Sequence, residues 1–165
     1  MFKIIFVTLF IVSFNIYAQN DRKLPDIELR DITGKNISSL SVLNDSGLTI
    51  IDFWATWCKP CIQELDNIHE VYATWQKETG VKFVAVSIDD ARNIAKVLPI
   101  ANSRGWKYQI LIDYNGDFKR ALNVNTIPHT FLINKKGEII WQHNSYVPGD
   151  EDELYELIKK ESAKK

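Results

Sequence analysis

Apolar runs and helix-type patterns alternate along most of this chain. Residues 48–54 are almost all apolar, with β-branched and aromatic side chains, and they predict a central strand that is covered on both faces. From Pro60 to Thr79, apolar residues recur at steps of three and four, which predicts a helix that ends at Gly80. A second strand is predicted over 82–88. This order is typical of a βαβ unit.

The second half of the chain continues the alternation. A helix is predicted over 91–104, with Ile94, Val97 and Leu98 buried and Pro99 as a kink. The other predicted elements are a hairpin or extended lead-in at 24–37, a strand at 109–113, a short helix at 118–122, two hairpin strands at 130–133 and 138–143, and a closing helix at 150–161. The predicted fold class is therefore α/β, with a central mixed sheet and helices on both faces.

The N-terminus differs from the rest of the chain. Lys3 is followed by an apolar run over 4–14 and by a small residue, Ala18, which together predict a secretory signal peptide over 1–18. The run is shorter than the roughly 20 residues that a membrane-spanning helix needs. An uncleaved membrane anchor and a buried helix of a cytosolic protein are the alternatives. The predicted organisation is a signal peptide, a linker over 19–23 and a single domain over 24–165.

Composition narrows the function classes. Of 165 residues, 45% are apolar, which is enough for an ordinary core, and the formal net charge is −1. This balance gives no reason to expect binding to nucleic acid or to an anionic membrane surface. An exported protein that relied on disulfides for stability would carry several spread cysteines, whereas this chain has two, spaced three apart. We therefore do not expect the pair to serve stability.

Cys58 and Cys61 follow the predicted central strand and open the predicted helix. A helix N-terminus presents unpaired N–H groups and a partial positive charge, so Cys58 is expected to have a lowered pKa and to be the attacking sulfur. Pro60 suits the first helical turn, where its missing N–H has no cost. Cys61, one turn deeper, is expected to be buried. The pattern predicts a redox centre.

A zinc site and an inert disulfide are the alternatives to a redox centre. A structural zinc site needs four Cys or His ligands, and the remaining candidates, His69, His129 and His143, form no second spaced pair. An inert structural disulfide is the other alternative. We expect no metal and no cofactor. A C-x-x-C motif beside a βαβ pattern favours thiol–disulfide exchange over both alternatives.

Two stretches resemble a known family. The residues FWATWCKPC at 53–61 and TIPHTF at 126–131 are similar to motifs of the thioredoxin superfamily, and more narrowly to exported bacterial thiol–disulfide oxidoreductases of the TlpA or ResA type. The resemblance covers roughly residues 24–160, and it includes Ser-Ile-Asp at 87–89 and Lys-Gly-Glu at 136–138. It implies a thioredoxin-like fold and a periplasmic location.

The resemblance also implies how substrate is held. Ile127–Pro128 would be a cis peptide packed against the disulfide, with flanking backbone that can pair with a substrate strand. From the sequence alone, Pro128 could equally be an edge or turn proline. Trp57 is expected to shield the sulfurs, and Lys59 to favour the thiolate.

Two acids are candidates for moving the proton of Cys61. Asp52 matches the buried acid of thioredoxins, and its place in a covered strand should raise its pKa. Many TlpA-type relatives instead use a glutamate six residues after the first cysteine, which is Glu64 here. A merely structural Asp52 and a solvated Glu64 are the alternatives. The proline that usually kinks the thioredoxin helix is replaced by Asp66, which predicts a straighter helix.

Several functions follow from these expectations. The leading one is reduction of disulfides in exported proteins, with apocytochromes among the candidate substrates, by a monomer that receives electrons from a membrane-side thiol donor. An oxidant that installs disulfides is the first alternative. A thiol peroxidase is disfavoured, because Ala55 and Ile51 stand where that chemistry usually has Thr or Ser and Pro. A non-enzymatic binder of unfolded chains is the last.

Overall fold

A computed structural model describes residues 22–164 of the protein. Within this range the strands are β1 Glu28–Asp31, β2 Asn36–Ser38, β3 Thr49–Trp54, β4 Lys82–Ser87, β5 Gln109–Ile112, β6 His129–Ile133 and β7 Ile139–Asn144. The helices are α1 Lys59–Thr79, α2 Val97–Arg104, α3 Asp117–Ala121 and α4 Asp150–Ser162. The predicted signal peptide lies outside the described residues. Among those that are described, no helix combines the length and apolar character needed to cross a bilayer.

The described strands form a seven-stranded mixed sheet in the order β2-β1-β5-β4-β3-β6-β7. Strands β3, β4 and β5 are parallel neighbours, while β6 and β7 form an antiparallel hairpin beside β3. Strands β1 and β2 form the expected small hairpin, and β1 also pairs antiparallel with β5. The predicted α/β class with a central mixed sheet is confirmed.

Helices cover both faces of the sheet, so β3 is buried along its whole length. Ile50 and Trp54 pack in one apolar cluster with residues of α1, α2 and α4. Ile51 and Phe53 pack in a second cluster with Phe118 of α3. Because side chains alternate along a strand, Asp52 points to the same face as Ile50 and Trp54, under α1.

Helix α1 begins directly after Cys58 and runs for 21 residues to Thr79, and the next residue, Gly80, adopts a left-handed conformation with φ of 70°. It is continuous through Asp66, as expected from the missing proline. The Asp66 carboxylate accepts a hydrogen bond of 2.9 Å from the Trp106 indole N–H and forms an ion pair with Arg104. These contacts tie the middle of α1 to the connection between α2 and β5.

The predicted helix over 91–104 begins later than expected. Asp90 folds the chain into a turn, because its carboxylate accepts from the Arg92 backbone N–H at 3.0 Å and its backbone carbonyl accepts from Asn93. Such local hydrogen bonds compete with a helix. A 3₁₀ turn follows, and Pro99 lies in the first turn of α2, where it causes no kink. Leu98, predicted to be buried, is exposed.

The predicted linker is partly described. Lys23 forms an isolated antiparallel bridge with Glu138, and the Arg22 carbonyl accepts a hydrogen bond from the backbone N–H of Ile139 at 2.8 Å. The Leu24 N–H donates to the Gly137 carbonyl at 2.8 Å. Residues 22 and 23 are thereby held against the hairpin of β6 and β7.

Candidate active site

Cys58 and Cys61 form a disulfide at the N-terminus of α1, with their Cα atoms 5.3 Å apart. Cys58 is the N-cap residue, and its sulfur accepts a hydrogen bond from the Cys61 backbone N–H at 3.3 Å. Cys61 is fully buried and Cys58 is 5% exposed. Lys59 and Pro60 occupy the first two positions of the helix, and both are exposed. The first sulfur therefore lies where the helix dipole favours negative charge.

A buried carboxylate holds the loop that leads to Cys58. Asp89 accepts hydrogen bonds from the Thr56 backbone N–H at 2.8 Å, from the Thr56 hydroxyl at 2.7 Å and from the Ser87 hydroxyl at 2.8 Å. Asp89 and Ser87 are fully buried. The Ser-Ile-Asp stretch noted in the sequence thus fixes the residues between β3 and α1 to the end of β4.

An open groove of about 390 Å³ lies beside this loop, and Trp57 and Ile127 contribute to its lining. Trp57 is 62% exposed, so its ring is available for contact with another molecule. The Ile127–Pro128 peptide bond is cis, as the family resemblance implied. The other lining residues are Ile88, Asp90, Lys119, Val124, Asn125 and Thr126.

Two carboxyl groups meet at one hydroxyl beneath α1. The Thr130 Oγ1 atom lies 3.1 Å from Asp52 Oδ1 and 3.0 Å from Glu64 Oε1. Asp52 is fully buried, and Glu64 is 5% exposed. Asp52 and Thr130 face each other across the antiparallel pair β3 and β6, and Glu64 reaches them from α1. Strand register and helix packing together build this cluster.

The Thr130 hydroxyl has one proton, so it can donate to only one of the two carboxyls. The second contact becomes a hydrogen bond when the other carboxyl is protonated and donates to the threonine oxygen. Two negative charges this close in a water-poor environment would also repel each other strongly. The geometry therefore favours a state in which the pair holds one proton.

Burial raises the pKa of both acids. For Asp52 the cause is loss of hydration, which the hydrogen bond from Thr130 partly offsets. For Glu64 the main cause is again loss of hydration, and the nearby charge of Asp52 raises its pKa further. Such groups can exchange a proton near neutral pH, which an unperturbed carboxyl cannot do effectively.

The structure buries both candidate acids, so the alternative of a solvated Glu64 is wrong. Glu64 does not reach water from the helix surface, because the side of α1 that carries it packs against β6. His129 is buried and stacks on Phe131 with ring centroids 4.5 Å apart. Sequence reasoning missed Thr130. It lies two residues after Pro128 in the quoted TIPHTF stretch, and only its pairing with Asp52 reveals its role as a bridge.

A disulfide at the N-terminus of the helix after the central strand, together with a cis-proline before β6 and a buried acid in β3, places the molecule among the thioredoxin-fold proteins. A family model described as AhpC/TSA family matches residues 21–142. The solution structure of a thioredoxin-like protein from Porphyromonas gingivalis superposes with a TM-score of 0.75 and 46% identity, over 85% of this chain and 92% of that one.

Curated proteins with similar sequences are thiol–disulfide oxidoreductases. The thiol–disulfide oxidoreductase ResA of Geobacillus kaustophilus is 36% identical over 115 residues, which are 70% of this chain and 63% of that protein. ResA of Bacillus thuringiensis is 34% identical over 124 residues, which are 75% of this chain and 69% of that protein. The chain thus belongs to the AhpC/TSA family, and within it to the thiol–disulfide oxidoreductases of the TlpA/ResA type.

The raised pKa values predict how stability depends on pH. Unfolded carboxyls ionise near pH 4, whereas Asp52 and Glu64 ionise at higher pH in the folded protein. In this interval the folded state binds more protons, so the free energy of unfolding should fall as the pH rises. Asp52→Asn removes one such group. Its gain in unfolding free energy over wild type should be larger at pH 8 than at pH 5 by at least about 1.4 kcal/mol, the equivalent of one pKa unit.

Urea titrations of the oxidised proteins measure this difference. Asp45→Asn is the matched control, because Asp45 lies exposed in the loop before β3, and it should show no such dependence. An Asp52→Asn gain that is equal at both pH values would contradict the buried, shared-proton arrangement.

A second prediction concerns the bridging hydroxyl. Thr130→Val keeps the shape of the side chain but leaves two buried carboxyls without their shared partner, so the unfolding free energy should fall by about 1–3 kcal/mol at pH 7. Thr130→Ser keeps the hydroxyl and should lose less, although valine is the better strand former. Urea midpoints of wild type, Thr130→Val and Thr130→Ser measure these differences in unfolding free energy. A valine variant as stable as wild type would show that the hydroxyl does not hold the pair.

Proposed function

We propose that this protein reduces disulfide bonds in other exported proteins through its Cys58–Cys61 couple. The observation that carries the proposal is the position of this couple at a helix N-terminus, with a buried carboxyl pair under the same helix. A thiolate at the N-cap is the attacking group that disulfide reduction requires. A buried second sulfur needs a base close by, because burial opposes its ionisation.

The proposed reaction has two exchange steps. The Cys58 thiolate attacks a substrate disulfide and forms a mixed disulfide, which expels the first substrate sulfur as a thiolate. Cys61 then gives its proton to the carboxyl pair of Asp52 and Glu64 and attacks the Cys58 sulfur. This closes the Cys58–Cys61 bond and releases the second substrate thiolate. The enzyme ends the reaction in its oxidised, disulfide form, and a thiol donor must reduce it before the next cycle.

The direction of the reaction depends on charges near the sulfurs. A positive charge stabilises thiolates and favours an oxidant, and negative charges act the other way. Lys59 is exposed, so water screens its charge, whereas Asp52 and Glu64 are buried where screening is weak. Because the pair holds one proton, it keeps one negative charge, and this weakly screened charge favours a reductant.

The groove beside the cysteines suits an extended polypeptide. Trp57 offers an exposed aromatic ring, and the backbone around Ile127 and Pro128 can pair with a substrate strand. The apolar N-terminal run over 4–14 supports export. An exported enzyme would meet its substrates, with apocytochromes among the candidates, outside the cytoplasm. It would receive electrons there from a membrane-side thiol donor. We expect the protein to work as a monomer in the periplasm.

The reduction potential of the Cys58–Cys61 couple tests the direction. Equilibration with a thiol buffer of known potential should give a value near that of thioredoxin, about −270 mV, rather than the roughly −120 mV of a strong oxidant. A potential at the oxidant end would reverse the proposed direction. Double substitution Asp52→Asn with Glu64→Gln should raise the potential, because it removes the negative groups that oppose the thiolates.

The roles of the two sulfurs lead to a trapping prediction. In Cys61→Ser, the mixed disulfide with substrate should accumulate on Cys58, because no second thiol resolves it. In Cys58→Ser, little complex should form, since Cys61 is fully buried. Incubation with a disulfide-bonded protein such as insulin, followed by non-reducing gels, measures both. Trapping through Cys61 alone would reverse the assignment.

The same preparations test the remaining alternatives. If a variant that lacks both sulfurs acts on unfolded chains as well as the wild type does, this would favour a non-enzymatic binder. Rapid consumption of peroxide by the wild-type protein would favour a peroxidase. Ala55 and Ile51 are fully buried apolar residues, so neither offers a hydroxyl to a peroxide.

A further inference from the structure

A small pocket lies behind the carboxyl pair, between α1, β6, β7 and α4. Glu64 and Thr130 form its inner wall, and His143 and Asp150 contribute to its outer part. Its volume is about 30 Å³, which is room for one or two water molecules. Neither cysteine contributes to the lining. The pocket therefore joins buried Glu64 to a part of the surface that the proposed reaction does not use.

One buried oxygen requires a partner on this side. Glu64 Oε1 contacts Thr130, but Glu64 Oε2 is buried and has no hydrogen-bond partner among residues 22–164. A buried carboxyl oxygen without a partner is costly, and a water molecule with several polar neighbours can supply one. Glu64, Thr130 and the polar groups of the outer wall give a water in this pocket enough neighbours.

The outer wall carries groups that can pass a proton to solvent. His143 is partly exposed, stacks on Trp141 and lies with Nε2 3.6 Å from Asp150 Oδ2. A neutral imidazole can accept a proton at one ring nitrogen and release one from the other. The charged groups around it come from α4, namely Asp150, Glu151 and Glu153, and from Glu64 on α1. Tyr146 and Asn67 engage the Glu151 carboxylate, so that acid already has partners.

We propose that this pocket holds water and is the route by which protons pass between the buried carboxyl pair and solvent, with His143 as the group that exchanges them at the surface. The inference rests on the proposed function. When Cys61 becomes a thiolate, its proton goes to Asp52 or Glu64, and Thr130 joins the two carboxyls. The pair then passes a proton through the pocket water to His143, which releases it to solvent, while the expelled substrate thiolate takes a proton from bulk water.

His143→Gln tests the route, because glutamine keeps a polar side chain but cannot exchange a proton in this way. The matched control is His69→Gln, which changes a histidine of α1 outside this pocket. The rate to measure is repeated turnover of insulin reduction with excess thiol donor from pH 6 to 8, because the carboxyl pair must release its proton before each new cycle. In dilute buffer His143→Gln should be about tenfold slower than wild type, less than the 10² or more expected of a group at the reacting atoms.

Buffer rescue separates proton exchange from a structural effect. Added imidazole should restore the rate of His143→Gln and leave wild type and His69→Gln unchanged, whereas a misplaced side chain would not respond to buffer. Equal rates for His143→Gln and wild type, or a slow variant that imidazole does not rescue, would overturn the inference. A wild-type protein that forms no mixed disulfide would instead refute the proposed function, so the two failures are distinct.

Discussion

Two buried carboxyl groups contact the same threonine hydroxyl, which has only one proton to donate, and the rest of the site depends on this constraint. Asp52 comes from the central strand, Thr130 from the neighbouring antiparallel strand and Glu64 from the helix above them. Charged carboxyls in a buried position are costly, so the geometry favours a state in which the pair holds one proton. The same cost makes the pair a ready proton acceptor, because the raised pKa values bring proton exchange towards neutral pH.

The surrounding fold keeps the carboxyls and the sulfurs in fixed relation. Cys58 and Cys61 open the helix that carries Glu64, and Asp52 lies on the strand that leads into the same loop. Asp89 fastens the loop through Thr56, so the position of Cys58 depends on the end of β4 as well as on α1. The continuous course of α1 through Asp66 keeps Glu64 facing the sheet, because the contacts of Asp66 with Trp106 and Arg104 hold the middle of the helix.

Stability and activity oppose each other at this position. A neutral or apolar replacement of Asp52 would suit the buried strand better, yet in the proposed reaction it would remove a group that accepts the proton of Cys61. The presence of both acids suits a protein that needs a proton acceptor for a buried thiol. Their charge also opposes thiolates, which agrees with the proposed role as a reductant.

Much of this molecule follows from local sequence patterns. The apolar run of β3, the three- and four-residue steps of α1 and the position of Cys58 and Cys61 between them were predictable, because periodicity reports which backbone structure can bury its apolar residues. The burial of Asp52 followed from the same run. At Asp90, the side chain accepts a local hydrogen bond that competes with helix formation, so the sequence pattern misplaced the start of that helix.

Only the tertiary structure decided which acid is buried with which partner. Thr130 is 78 residues from Asp52 and 66 from Glu64, so their meeting depends on the register of β3 against β6 and on the side of α1 that packs there. A shift of one residue in that register would turn Thr130 to the opposite face of the sheet. The sequence by itself determined a redox pair at a helix start beside a buried aspartate. The packing of α1 against the sheet determined that Glu64 lies in the same cluster as this aspartate. The burial of a helical residue depends on the element that its side of the helix faces.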